Sequence, residues 1–198
     1  MKKINIIIVI CILSLNLYGQ DINKFKIYKI DPNINNGLDI SYTIPEIFNE
    51  KQSSTPSIYK SYSSPLLENS YIIVQEIGIT KNEIELNENS KEVMFKSIDN
   101  SLSKSLGDNY KQITKKKTKL YFFDAIELRN NITLIDNQDK IYKDQIMYTV
   151  FIGKNVVRFI YKCIYTNPEL LKSNADYFKD YVEKQKNNII IRNLFSNK

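Results

Sequence analysis

The stretch from Ile141 to Tyr165, IYKDQIMYTVFIGKNVVRFIYKCIY, decides the fold. Its two halves, Ile141–Ile152 and Val156–Tyr165, repeat with a period of two. That is the spacing of a β-strand, whose side chains point to alternate faces. Gly153-Lys154-Asn155 between them signals a hairpin. Ile146, Tyr148, Val150 and Ile152 form one face of the first half, with Met147 and Phe151 on the other. In the second half Ile160 and Ile164 oppose Phe159, Tyr161 and Cys163. Strands apolar on both faces belong in the middle of a covered sheet. The hairpin is therefore expected to be central.

Upstream, two more strands are expected at Tyr110–Lys117 and Leu120–Leu134, the second bent at Arg129–Asn131. Asn137-Gln138-Asp139 reads as the turn into the hairpin. Before them the period changes. Met94, Ile98, Leu102 and Leu106 fall at steps of four, joined by Phe95, with Ser97, Asn100, Ser101 and Lys104 between. This predicts a one-sided helix, capped by Asn89 or Ser90 and stopped at Gly107. Earlier strands are expected at Phe25–Ile30, Leu38–Ile44, Ile58–Ser63 and Tyr71–Thr80, with one helical turn at Glu46–Glu50. Downstream, Asn167-Pro168-Glu169 opens a second helix, with proline at its first position. Its apolar stripe is Leu171, Ala175, Phe178 and Val182. Ile189–Ile191 is a terminal strand or docking segment. Two helices with one greasy side each must be buried on something, and the sheet is the partner. The expected class is α+β: an antiparallel β-sheet flanked by two amphipathic helices, an α/β/α sandwich.

The first residues read as an export signal. Lys2 and Lys3 are followed by an apolar run from Ile6 to Leu13, then Tyr18, Gly19 and Gln20. The run is shorter than the roughly 20 apolar residues of a membrane span. Residues 1–19 are expected to be a signal peptide cleaved after Gly19, with no stable membrane span left. Cys11 follows Ile8, Val9 and Ile10, which are not the small residues a lipoprotein site requires, so it reads as part of the apolar run. The product is exported, to the periplasm or beyond the cell. Residues 20–198 suit a single domain with a real core.

Composition excludes several chemistries. The chain has no histidine and no tryptophan. Without histidine no Ser-His-Asp or Cys-His site exists, and a zinc site is improbable. Removing Lys2 and Lys3 lowers the formal charge from +6 to +4, a mild and scattered excess that makes no nucleic-acid stripe. Cys163 alone remains in the mature chain and is expected to be buried in its strand. Glu83, Glu85 and Glu88 lack the spacing and central glycine of a calcium loop. No metal site and no cofactor is expected.

Three segments carry a resemblance. LDISYTIPEIF (Leu38–Phe48), FFDAIEL (Phe122–Leu128) and MYTVFIGKNVVRFIY (Met147–Tyr161) with its following helix resemble the PsbP-like and DcrB-like group of exported bacterial proteins. The resemblance implies an α/β/α sandwich over most of the mature chain. It also implies a non-catalytic role, since such proteins bind partners, assist assembly or serve as accessory subunits. The ion-binding residues of the photosynthetic members have no matching motif here.

Two surfaces are candidates. Lys115, Lys116, Lys117 and Lys119 are either a contact for an acidic surface or the lysines of a solvated edge strand, which discourage pairing with other chains. Tyr59, Tyr62 and Tyr71, around the Ser53–Ser64 stretch, are either a tyrosine-serine binding surface or ordinary strand residues. Asp124 and Glu127 are the carboxylate pair a glycosidase needs, but three residues apart on a strand they point to opposite faces. The leading reading is a non-enzymatic exported protein that binds a protein partner or envelope component, an immunity-like role included. The alternative is a histidine-free, carboxylate-dependent hydrolase of cell-envelope polymers.

Overall fold

The computed structural model describes residues 24–32, 37–65, 67, 69–79, 86–107, 110–136, 139–165, 176–177, 180–185 and 188–193. The signal segment, Glu83, Glu85, the Asn167-Pro168-Glu169 helix start, Leu171, Ala175 and Phe178 lie outside them. In chain order the elements are β1 (Phe25–Ile30), β2 (Leu38–Pro45), β3 (Asn49–Lys51), β4 (Ile58–Ser63), β5 (Ser70–Ile79), α1 (Glu88–Leu106), β6 (Tyr110–Leu120), β7 (Phe123–Asp136), β8 (Asp139–Ile152), β9 (Asn155–Tyr165) and β10 (Ile190–Asn193). Residues 176, 177 and 180–185 are helical as well, where the second helix was expected.

A seven-stranded sheet runs β3-β4-β5-β9-β8-β7-β6, and every pair in it is antiparallel. The hairpin of β8 and β9 sits in its middle, as its two apolar faces require. The faces follow the register. Tyr148, Val150, Val157, Phe159, Tyr161 and Cys163 point one way into the larger core. Ile126, Phe151 and Val156 point the other way, into a smaller core with Leu86. Met94, Phe95 and Ile98 of α1, partly buried, pack against that smaller core, so this part of the stripe read at steps of four faces the sheet.

The opposite face is not covered by a helix alone. A three-stranded antiparallel sheet, in the order β1-β2-β10, lies over it. Ile30, Leu38, Ile40, Tyr42, Ile44 and Ile191 enter the larger core from this sheet, and Tyr181 and Val182 enter it from the C-terminal helix. The outer layer on this side is thus a small sheet and a helix together. The early strand-like run and Ile189–Ile191 supply its two edges.

Several local expectations shift. Asn87, not Asn89 or Ser90, caps α1: its side chain accepts from the Ser90 backbone N–H at 2.9 Å. This places Glu88 in the first turn, where a carboxylate meets the positive helix end. Gly107 ends the helix at φ 54°, a left-handed angle that disfavours any side chain. Residues 46 and 47 form a turn before β3 rather than a helical turn. β7 pairs with β8 without a break through Arg129–Asn131, where a bend was expected. The irregularity at this point sits in β6, whose register against β7 shifts between Gln112 and Thr114, opposite Asn130 and Arg129.

Cys163 is buried, with its sulfur 3.6 Å from the Ser70 hydroxyl. Burial pushes its thiol up from 9.0 to about 11, against the lowering effect of hydrogen bonds to Tyr165 and Ser70. A two-unit rise reduces the thiolate about 100-fold at neutral pH. Thiol-reagent kinetics at neutral pH should therefore be about 100-fold slower for the native chain than for the urea-unfolded chain. Equal rates would mean that Cys163 is open to solvent.

Candidate protein-binding surface

The lysine run lies on β6, an edge strand of the large sheet. Alternation divides it between the faces. Lys115 and Lys117 lie on the α1 side, opposite Leu128 and Ile126. Lys115 pairs with Asp99 of α1 and its ammonium stands 5.5 Å from the Phe95 ring centroid. Lys117 donates to the Leu86 carbonyl and stands 3.8 Å from Asp124. These two lysines seal the rim of the smaller core with their stems. Lys116 turns to the other face and reaches Glu127 at 3.3 Å. Lys119 is exposed beside the β6–β7 turn.

That turn is Tyr121-Phe122, between the paired residues Leu120 and Phe123. β6 thus runs to Leu120, three residues past the expected Lys117, and β7 starts at Phe123 rather than Leu120. Tyr121 has φ 57°, an uncommon and strained angle for an aromatic residue. Its ring meets that of Phe122 edge-on at 4.1 Å, and Phe122 is 75 % exposed. An exposed aromatic pair on a strained tip, next to Lys119, is a feature composition did not reveal.

The tyrosine candidates separate. Tyr62 is fully buried; its hydroxyl meets that of Tyr42 at 2.6 Å, and the rings of Tyr28 and Tyr42 stand against it. It joins the two sheets and is not on the surface. Tyr59 packs half-buried on the larger core, and burial, then a hydrogen bond to Glu76, raises its pKa. Tyr71 is half-buried on the α1 side of β5, with the Lys162 ammonium 5.1 Å from its ring centroid. The three do not form one surface.

Asp124 and Glu127 do face opposite ways, since Asp124 is opposite Lys119 and Glu127 is opposite Tyr148. Glu127 is fully buried. It accepts from Arg129 Nε at 2.7 Å, and Arg129 also reaches Glu183 at 2.7 Å. Among the described residues, no group of three or more acidic or cysteine side chains is placed to hold a metal ion. No helix among them is long and apolar enough to cross a membrane.

No family model matches the chain, and no curated protein resembles it in sequence. Among solved structures it is similar to cyanobacterial PsbP (CyanoP) from Synechocystis sp. PCC 6803, at 10 % identity and TM-score 0.60, over 85 % of this chain and 92 % of that one. LpqN of Mycobacterium tuberculosis, described as involved in cell envelope biogenesis, aligns at 13 % identity and TM-score 0.46, over 85 % and 92 %. The first likeness shows a PsbP-like fold, mostly antiparallel sheet with two helices. It bears out the PsbP-like half of the resemblance in the sequence.

Proposed function

We propose that the chain is an exported, non-enzymatic accessory protein of the cell envelope that binds a protein partner. In this reading residues 1–19 direct export and are removed, and residues 20–198 form the working domain. The observation that carries it is the tip of the β6–β7 hairpin. An aromatic residue is held at a strained backbone angle and its neighbour Phe122 stands in solvent, which folding alone does not require. Aromatic anchors beside cations are what binding hot spots use. The PsbP-like fold supports the same role, and the burial of Glu127 with its ion pair to Arg129 speaks for a structural carboxylate rather than a hydrolytic one.

The test is site-specific photo-crosslinking in intact cells, with the crosslinker at Phe122 and, as control, at the exposed Lys51 of β3. A discrete protein adduct from position 122 alone is expected. No adduct at 122, or the same adducts from both positions, refutes the reading.

A further inference from the structure

β1 is an edge of the small sheet, and register shows which of its peptide groups face outward. The Glu46 N–H donates to the Lys24 carbonyl at 2.9 Å, one residue before the strand. In an antiparallel ladder, residues whose N–H and C=O turn to the neighbour alternate with residues whose groups turn away. Lys26, Tyr28 and Ile30 therefore bond to β2, while Phe25, Ile27 and Lys29 direct their N–H and C=O outward. Two further observations agree with this phase. Pro45, opposite Phe25, has no N–H to give. The Thr43 carbonyl, opposite Ile27, turns away from β1 and takes the Tyr181 hydroxyl at 2.8 Å. The outward edge stands in water. Ile27 is 71 % exposed and Phe25 39 %, and Lys24, Lys26 and Lys29 are exposed beside them. Among the described residues no strand pairs with β1 on that side.

Lysines along an edge strand normally keep other chains away. Here their spacing makes the edge its own complement. Laid antiparallel on a second copy with the two-fold at Ile27, FKIYKI matches itself. Phe25 then stands opposite Lys29, Lys26 opposite Tyr28, and Ile27 opposite its own copy. No lysine of the strand falls opposite a lysine. Each meets an aromatic ring, to which an ammonium is attracted. The same register sets outward peptide groups against outward ones, so Phe25, Ile27 and Lys29 exchange about six N–H···O bonds with the copy. Neighbouring registers are poorer. A two-fold at Lys26 sets that ammonium against itself, which destabilises a cross-strand pair. A two-fold at Tyr28 carries Phe25 past the end of the strand.

We infer that β1 is a self-association site, at which a second copy of this chain pairs antiparallel about Ile27. The two small sheets then join into one, in the order β10-β2-β1-β1-β2-β10. The contact is isologous: the same patch serves both copies, and Ile27 leaves water against its own counterpart. One short strand from each copy makes less than a standard interface of about 1,600 Å², so the dimer forms and parts with concentration. The tip at Tyr121-Phe122 belongs to the large sheet, so the inference does not rest on the partner-binding reading.

Sedimentation equilibrium of the signal-free chain should show the mass rising from one copy toward two between about 1 μM and about 1 mM. Ile27→Pro removes the two central bonds without touching the ladder to β2, because that N–H turns outward. It should keep the protein monomeric throughout, with circular dichroism confirming the fold. Ile27→Lys sets two ammonium groups face to face and should weaken the dimer at least about ten-fold. Disulfide trapping reads the register. The hydrogen-bonded pair at position 27 puts the two Cα atoms about 5.5 Å apart, within disulfide reach. Ile27→Cys should therefore give a covalent dimer under mild oxidation, while the native chain, with Cys163 buried, gives none. Lys29→Cys stands more than about 13 Å from its counterpart and should give none alone, but a mixed dimer with Phe25→Cys. A mass of one copy at every concentration, a dimer that Ile27→Pro leaves intact, or a covalent dimer from Lys29→Cys alone each overturns the inference.

Discussion

Raising the pH from 10 to 12 is expected to unfold the protein in one cooperative step. Tyr42, Tyr62, Tyr148, Tyr161 and Tyr181 are all less than about a twentieth exposed. Burial raises the pKa of each of them above 10.0. For Tyr42 the neighbouring Tyr62 adds to the effect, and for Tyr148 the charge of Glu127 does. The rings form connected runs: Tyr177–Tyr181–Tyr161–Tyr148 on one side, and Tyr28, Tyr42 and Tyr62 on the other, with Phe159 against Tyr42. A phenol in such a cluster cannot ionise in place.

The direction follows from linkage. A phenol whose folded pKa lies above its unfolded value contributes stability that is complete below pH 10 and is lost as pH rises toward the folded value, because only the unfolded chain releases the proton. Each such group removes about 1.4 kcal/mol per pH unit above 10. Five together remove about 7 kcal/mol by pH 11, against a typical total of about 5–15 kcal/mol. Tyrosinate absorbance and far-ultraviolet circular dichroism should change together, with a midpoint between about pH 11 and 12. Tyr161→Phe should make the fall in stability shallower by about 1.4 kcal/mol per pH unit. If the tyrosines titrate smoothly near pH 10 while the dichroism stays constant, the clusters are open to water and the two-sheet core is wrong.

What was legible in the sequence was whatever periodicity enforces. The β8–β9 hairpin, the stripe of α1 and the burial of Cys163 follow from side-chain alternation, because a shift by one residue moves every apolar group to the wrong face. The turn at Tyr121-Phe122 was hidden for the opposite reason. It lacks the Gly, Asn or Asp that marks a turn, and its two aromatics continue the strand pattern. Tyr62 misled in the same way, since strand propensity is blind to which face a second sheet will cover.

Replacing Arg129 with methionine is expected to destabilise the protein by about 3 kcal/mol, lowering its melting temperature by roughly 10 °C. Glu127 is fully buried on the larger-core face, beside Tyr148. Its Oε1 takes the Arg129 Nε at 2.7 Å and the Lys116 ammonium at 3.3 Å. Arg129→Met leaves a buried carboxylate with a partly exposed ammonium as its remaining cation. A buried charge stripped of its main partner loses far more than a surface pair does. The outer contact from Arg129 to Glu183 lies at the rim, so Glu183→Gln should cost less than about 1 kcal/mol. Replacing both members of the pair, Glu127→Leu with Arg129→Met, removes the stranded charge and should return stability to within about 1 kcal/mol of the parent. Urea unfolding of the four proteins measures this directly. A loss below about 0.5 kcal/mol for Arg129→Met would show that water reaches Glu127. A double variant as weak as the single one would show that Arg129 acts through the packing of its stem rather than its charge. The expected pattern makes Glu127 a structural acid, held in place to fix the β6–β7 edge that carries the aromatic tip.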